Sequence, residues 1–448
     1  MAKKNFNKSM SRRSFLKMAG ASAAGLAATS GLGSAFAAPA SQEVDESLTG
    51  TLVFWGHGDH PLDYIRVEFL KKYPNVTLDW QQIADHAAQF KTAMAAGTGA
   101  PDLYWMEATD VALYGGQGAL LETTDIIEPI KDTLIPGKLN EAYVASMGGY
   151  FGMPGDLSVS GIFYRADIME ELGIEITDSL MYEPDFLAIL SQIAEAGKKA
   201  VLYPAGGGFV ATAQWSWFDA QFGGSGPTTC DNAEVTIGDE ASINAVNLMK
   251  KIYETGATLE ADFWTPEYWA AINDSQLVLD LCPAWARGFW ESNINDDVKG
   301  VWRVAPFPRA IPGGPNTGVW GGATLVSPAT TQNADLAKIF MQFAFASMEG
   351  ATAAGNWGII PPYIPYLEGP FQELTTALFG EQKIGPIWLD MAQNLSLDYC
   401  RTAAYGAATG ADVLESSIDA MIKGEVDIDS GMQDVADKLD EILPDYQV

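Results

Sequence analysis

The sequence predicts a two-lobed α/β protein in which each lobe is a mainly parallel sheet with helices on both faces. Length is the first observation: 448 residues exceed what one hydrophobic core usually serves. The second is an alternation, between residues 51 and 105, of short apolar runs with amphipathic helical segments, the spacing of crossover units. The third is that the same grammar starts again near residue 183, beyond a turn-rich break around Asp156 to Gly161.

Residues 1–37 stand outside this scheme. They hold six basic residues and no acid, then a small-residue apolar run, then Ala35-Phe36-Ala37, which is the layout of a secretory signal. Ser11-Arg12-Arg13-Ser14-Phe15-Leu16-Lys17 adds the twin-arginine pattern of export in a folded state. No later run reaches the ~18 apolar residues of a membrane-spanning helix. Without these 37 residues, 20 basic residues face 57 acidic ones, a formal charge of −37. Such a surface repels nucleic acid and anionic lipid, so nucleic-acid binding is excluded.

Thr51 to Trp55 reads as a buried strand. A Gly/His/Asp loop follows, and Pro61 suits the first turn of a helix capped by Asp59 or His60. Leu62, Ile65, Phe69 and Tyr73 recur at helical spacing until Pro74. Val76, Leu78 and Trp80 alternate as a strand does. A helix from Asp85 to Ala96 stops at Gly97, and Pro101 to Trp105 supplies the next strand. Past the break, Gly161 to Arg165 is a strand, a helix opened by Glu183-Pro184-Asp185 ends at Gly197, and Ala200 to Tyr203 is a strand again. Helices are expected at 214–222 and 240–254. From Gln276 to Val326 the chain carries three apolar runs bounded by Pro and Gly, read as buried strands. Helices at 333–350, 411–423 and 434–442 complete the chain.

Parallel sheets hold ligands beyond the carboxyl ends of their strands. Trp55 and Trp105 occupy such ends, with His57, Asp59 and Glu107 just past them. In the second half Trp285, Arg287, Trp320 and Gly321 lie where tryptophans adjoin glycines, an arrangement that places flat apolar rings at a cleft and lets backbone approach a ligand. His57, Asp59, His60 and His86 are read as a helix-entry loop and its surroundings rather than a metal site, because zinc wants three or four convergent ligands. The sequence calls for no cofactor. Cys230, Cys282 and Cys400 show no metal-ligand spacing and leave any disulfide pairing open.

Several pieces keep a recognisable order: Leu52 to Trp55 with Gly58-Asp59, Ala96-Gly97 to Trp105, Gly115 to Leu121, and Tyr150 to Pro154 followed by Phe163-Tyr164-Arg165. Cys282-Pro283-Ala284-Trp285, Ala305-Pro306-Phe307-Pro308 and Gly318 to Val326 with the helix after Asn333 continue it. Together they resemble the solute-binding proteins of bacterial ABC importers, in the carbohydrate-binding family that includes the maltose-binding proteins. Cys282 departs from the family's Gly-x-Trp turn. The resemblance implies two lobes joined by three crossings and closing on a sugar, with no catalysis, a membrane-embedded ABC permease as partner, and a monomer acting in the periplasm or outside the cell. It maps stacking tryptophans onto Trp105, Trp285 and Trp388, a loop aspartate onto Asp59, and inter-lobe polar contacts onto Asp156 and Ser158. The lobes are expected at 38–158 with 300–330, and at 159–299 with 331–448.

A pyranose presents apolar C–H faces and a rim of hydroxyls, which indoles and carboxylates match. Aromatic walls with carboxylates also suit a cation such as a polyamine, the competing ligand class. A secreted carbohydrate-active enzyme is the competing function; it needs a facing carboxylate pair, and the sequence carries no G-x-S-x-G elbow.

Overall fold

The computed structural model describes residues 44–446 apart from 57–59, 84, 204–207, 231–232, 396–398, 400 and 411. The signal region therefore lies outside the described residues, as do His57 and Asp59.

The first lobe is a five-stranded sheet. Strand β1 (Gly50–Gly56) leads into helix α1 (Pro61–Lys72), whose N-cap is His60: the ring Nδ1 accepts the Leu62 N–H at 3.2 Å. Strand β2 (Val76–Gln82) follows, then α2 (His86–Ala96), capped by Asp85 and stopped by Gly97 in the left-handed region, then β3 (Leu103–Glu107) and α3 (Ala108–Gly116). β2, β1 and β3 are parallel. A two-residue strand β4 (Met153–Pro154) then reaches the far edge of this sheet.

The chain crosses and opens the second sheet with β5 (Ser160–Arg165). Then come β6 (Lys199–Ala200), α4 (Gly208–Gln221), α5 (Glu240–Glu254), α6 (Pro266–Asn273), β7 (Leu277–Pro283), α7 (Ala286–Asn293) and β8 (Trp302–Ala305). The order is β8-β5-β7-β6. Here the expected parallel sheet is corrected, since only β6 and β7 are parallel. β5 runs away from the crossing, whereas β7 and β8 run back to it, so both pair with β5 antiparallel.

The second crossing returns the chain to the first sheet as β9 (Ala323–Val326), antiparallel to both β3 and β4. Helices α8 (Ala334–Ala346) and α9 (Met348–Trp357) follow, divided at Ser347, whose hydroxyl caps the second by accepting from Gly350 N–H. Leu336, Phe340, Phe343 and Trp357 from these helices share a core with Leu52, Ile65 and Phe69. The lobe boundaries therefore differ from expectation. Trp302–Ala305 belongs with the second sheet and 334–357 with the first lobe, because short strands and amphipathic helices follow whichever sheet face buries them.

A third crossing at Gly358–Pro361 takes the chain back to the second lobe. There α10 (Glu415–Ile422) and α11 (Ile428–Ile442) pack their apolar stripes on α5, burying Ile418, Met421, Met432 and Val435. Of the cysteines, Cys230 is disulfide-bonded, Cys282 is free and buried on β7, and Cys400 lies outside the described residues.

Candidate functional site

The three crossings lie side by side and are bonded to one another where the chain passes between the two sheets. Val159 bridges Val319 between the first and second. Ser160 N–H donates to Gly318 O at 2.9 Å and Trp320 N–H to Ser158 O at 3.1 Å. Leu157 N–H reaches Ile360 O at 2.9 Å, tying the first crossing to the third. Asp156 completes the knot. Its Oδ1 accepts the N–H groups of Ser158 and Ile360, and its Oδ2 accepts the Ser158 hydroxyl at 2.5 Å. Both side chains are buried, and burial raises the Asp156 carboxyl above the ordinary range while these hydrogen bonds oppose the shift. Asp156 and Ser158, expected as ligand-binding inter-lobe contacts, are buried and bonded to each other and to Ile360.

Trp105, expected at a strand end, lies in the middle of β3 opposite Leu325; it is half-buried, its ring 5.5 Å from Phe345 and edge-on to His60 at 5.3 Å. Gly155, at the start of the first crossing, is where the chain passes over it: a Cβ there would overlap the indole. Trp55, at the end of β1, is half-buried and donates Nε1–H to Gln81 Oε1 at 3.0 Å.

The second lobe contributes a run of rings. Trp285, at the α7 N-terminus, donates Nε1–H to Trp320 O at 2.7 Å, which fixes its indole against the second crossing. Its ring lies 5.4 Å from Trp320 and 5.9 Å from Trp264. Phe209, 52% exposed, meets Trp320 at 5.5 Å, and Phe263 meets it at 5.3 Å. Gly321 has φ +80°, and a Cβ there would lie 3.2 Å from Trp285 Nε1, so glycine allows the close approach.

Polar groups gather where β3 ends. Glu107 faces Arg401 across 3.6 Å, a first-lobe carboxylate against a second-lobe guanidinium. Its side chain is 55% exposed, yet the cleft walls strip its hydration and raise its pKa, with Arg401 opposing. Arg401 also donates to Gly321 O and lies over the Tyr405 ring at 4.9 Å. Lys138 and Glu141 pair alongside at 2.6 Å.

Two expected site residues are elsewhere. Trp388 is 2% exposed and packs on Phe163, so it has no free face to offer a ligand; Pro386 stands in the first turn of its helix. Arg287 is 3% exposed and donates to the carbonyls of Gly355 and Asn356, the last turn of α9. It fastens α7 to the first lobe. Sequence reasoning passed over Phe209, Phe263, Trp264, Lys138 and Arg401. Only Phe263-Trp264-Thr265-Pro266 carries a local signal, an aromatic pair directly before a Thr cap and a Pro at the first helical turn.

Comparison with known proteins agrees with this architecture. An ABC-transporter-associated binding protein from B. animalis subsp. lactis, solved with β-1,6-galactobiose, superposes with a TM-score of 0.77 at 19% identity, covering 89% of this chain and 99% of that one. The GacH receptor of Streptomyces glaucescens, solved free and with acarbose, gives 0.71 at 18% identity over 89% of this chain and all of that chain (100%). At such identities these likenesses establish the fold. An arabinooligosaccharide-binding protein of Halalkalibacterium halodurans is 26% identical over 299 residues, 63% of each chain. One from Bacillus subtilis is 24% identical over 316 residues, 67% of this chain and 70% of its own. The match to the first relative thus spans somewhat under two thirds of its length. Residues 58–351 match the family model for bacterial extracellular solute-binding proteins, and the chain belongs to that family.

Proposed function

We propose that this protein captures a carbohydrate, an oligosaccharide, between its two lobes and delivers it to a membrane-embedded ABC permease. The observation that carries this is the series of partly exposed rings Phe209, Trp320, Trp285 and Trp264 beside cleft carboxylates that already have partners. Indole faces cover the C–H faces of a sugar. A polyamine needs unpaired carboxylates, whereas Glu107 faces Arg401, Glu141 faces Lys138 and Asp156 is spent on Ser158 and Ile360. A neutral polyol is the better match among the described residues. The arabinooligosaccharide and galactobiose specificities of the relatives point the same way. Trp55, Trp105, Glu107, Trp285, Trp320 and Gly321 are the proposed contacts, joined by His57 and Asp59 of the β1–α1 loop.

The protein acts as a monomer without catalysis, closing by rotation about the three crossings. Export uses the twin-arginine route, and replacing Arg12 and Arg13 by lysine is expected to block it; normal export of that variant overturns the assignment. The central experiment is a thermal-shift and titration screen of arabino-, galacto- and malto-oligosaccharides against spermidine and putrescine. A sugar that raises the melting temperature and binds saturably without releasing reducing ends supports the reading. A polyamine response alone, or turnover, refutes it.

A further inference from the structure

Trp264 sits at φ +67°, a left-handed backbone conformation that costs a bulky L-residue strain and that persists only where the surroundings enforce it. The described residues include four non-glycine positions of this kind, and two of them, Ser158 and Trp264, are at the cleft. Ser158 is held by Asp156. Trp264 precedes the Thr265 cap of α6, where any residue could serve the helix, so the strain is not required by the helix start. What it achieves is placement: the indole is 4.3 Å from Phe289 and 5.9 Å from Trp285. Phe289 in turn touches Trp357 of the first lobe at 5.1 Å, which puts Trp264 where the lobes meet. From Phe209 through Trp320, Trp285 and Trp264 to Trp269, successive ring centroids are 5.5, 5.4, 5.9 and 5.4 Å apart. None of these five rings is fully buried.

We infer that Trp264 is a length-determining residue, extending the stacking surface beyond Trp285 and Trp320 so that the protein selects ligands of three or more sugar units over mono- and disaccharides. The inference rests on the carbohydrate reading of the same cleft. Trp285 and Trp320 meet edge to face with planes 63° apart, and Trp264 is tilted 42° from Trp285, so each ring offers a separate face and only a ligand long enough to reach Trp264 gains from that one.

The test is isothermal titration of the parent, Trp264→Gly and Trp264→Phe with arabino- and malto-oligosaccharide series from one unit to five, together with melting curves. Glycine relieves the left-handed strain while deleting the ring. Trp264→Gly is expected to melt earlier, because the ring packs on Phe263 at 4.0 Å and Phe289 at 4.3 Å, to lose about tenfold in affinity for the longer members, and to change by under about twofold for the shortest. Trp264→Phe is expected to recover most of the loss. Equal losses at every length, or no loss at any length, would overturn the inference, leaving the carbohydrate reading intact. A parent that binds neither series overturns both, and is told apart because the loss then precedes any substitution.

Discussion

The Oδ1 of Asp156 accepts the backbone N–H of Ile360 at 2.9 Å, joining two crossings separated by 204 residues of chain. Asp156→Ala removes this oxygen, which also accepts the Ser158 N–H, leaving buried donors unpaired at a cost of about 1–3 kcal/mol each. A lower melting temperature is expected, with a smaller drop for Asp156→Asn, which keeps one carbonyl acceptor. Equal melting of parent and Asp156→Ala would show that the crossings hold without it.

Trp105 and Trp285 come from opposite lobes, and each is half-buried, the first within β3 and the second at the start of α7. Alanine at either position is expected to weaken ligand binding by about tenfold or more, since each removes a stacking face in addition to apolar area. Trp302→Ala behaves differently. Trp302 is fully buried, edge-on to Trp290 at 4.8 Å, and its loss is expected to lower stability by about 3–5 kcal/mol in urea unfolding without a specific effect on the ligand. If Trp302→Ala spares stability while Trp285→Ala melts early, the assignment of core and site is reversed.

The first lobe was legible from sequence because its signals are local. Pro61, Asp85 and Gly97 mark helix ends within one residue of where they fall, and Leu62, Ile65 and Phe69 face the core as their spacing requires. Trp302 lies in one of the apolar runs between Gln276 and Val326 that read as buried strands, and it is buried. Lobe membership after residue 300 was not legible, since Trp302–Ala305 and Ala323–Val326 are both short apolar strands and only pairing assigns one to each sheet. Trp388 was expected in the site through the family resemblance alone, and a tryptophan in an amphipathic helix carries no local mark of which way it turns. Arg401 was invisible for another reason: its partners Glu107 and Gly321 are remote in sequence. The strain at Trp264 has no sequence signature at all.

Asp219 is buried on α4, where it accepts from the Ser242 hydroxyl and Gly226 N–H, and burial pushes its pKa up to about 7. Asp280, buried on β7, is pushed up to about 6 for the same reason. Both values lie above that of an unfolded aspartate, so between about pH 4 and pH 7 the folded chain binds more protons than the unfolded one. Stability contributed by these groups is present at low pH and falls as pH rises through that window. The melting temperature is expected to be higher at pH 5 than at pH 7.5, and Asp219→Asn is expected to flatten the profile. The acidic surface acts in the same direction, so the readout is the difference between parent and variant. Parallel profiles would mean that Asp219 does not titrate in this window.

The Glu107–Arg401 pair depends directly on how far the lobes are closed, because its members come from opposite lobes. At 3.6 Å and with Glu107 55% exposed, it contributes no more than about 1 kcal/mol. That is small against folding but sizeable against a closure equilibrium, where a similar amount changes the ratio of states several-fold. Glu107→Gln is therefore expected to leave the melting temperature nearly unchanged while raising the radius of gyration of the ligand-free protein in small-angle scattering. Saturating ligand is expected to return it to the parent's closed value, since the aromatic faces and the knot around Asp156 are intact. High salt applied to the parent is expected to mimic the substitution by screening the pair. If Glu107→Gln and the parent give superimposable curves at low salt, the ion pair follows closure and does not favour it.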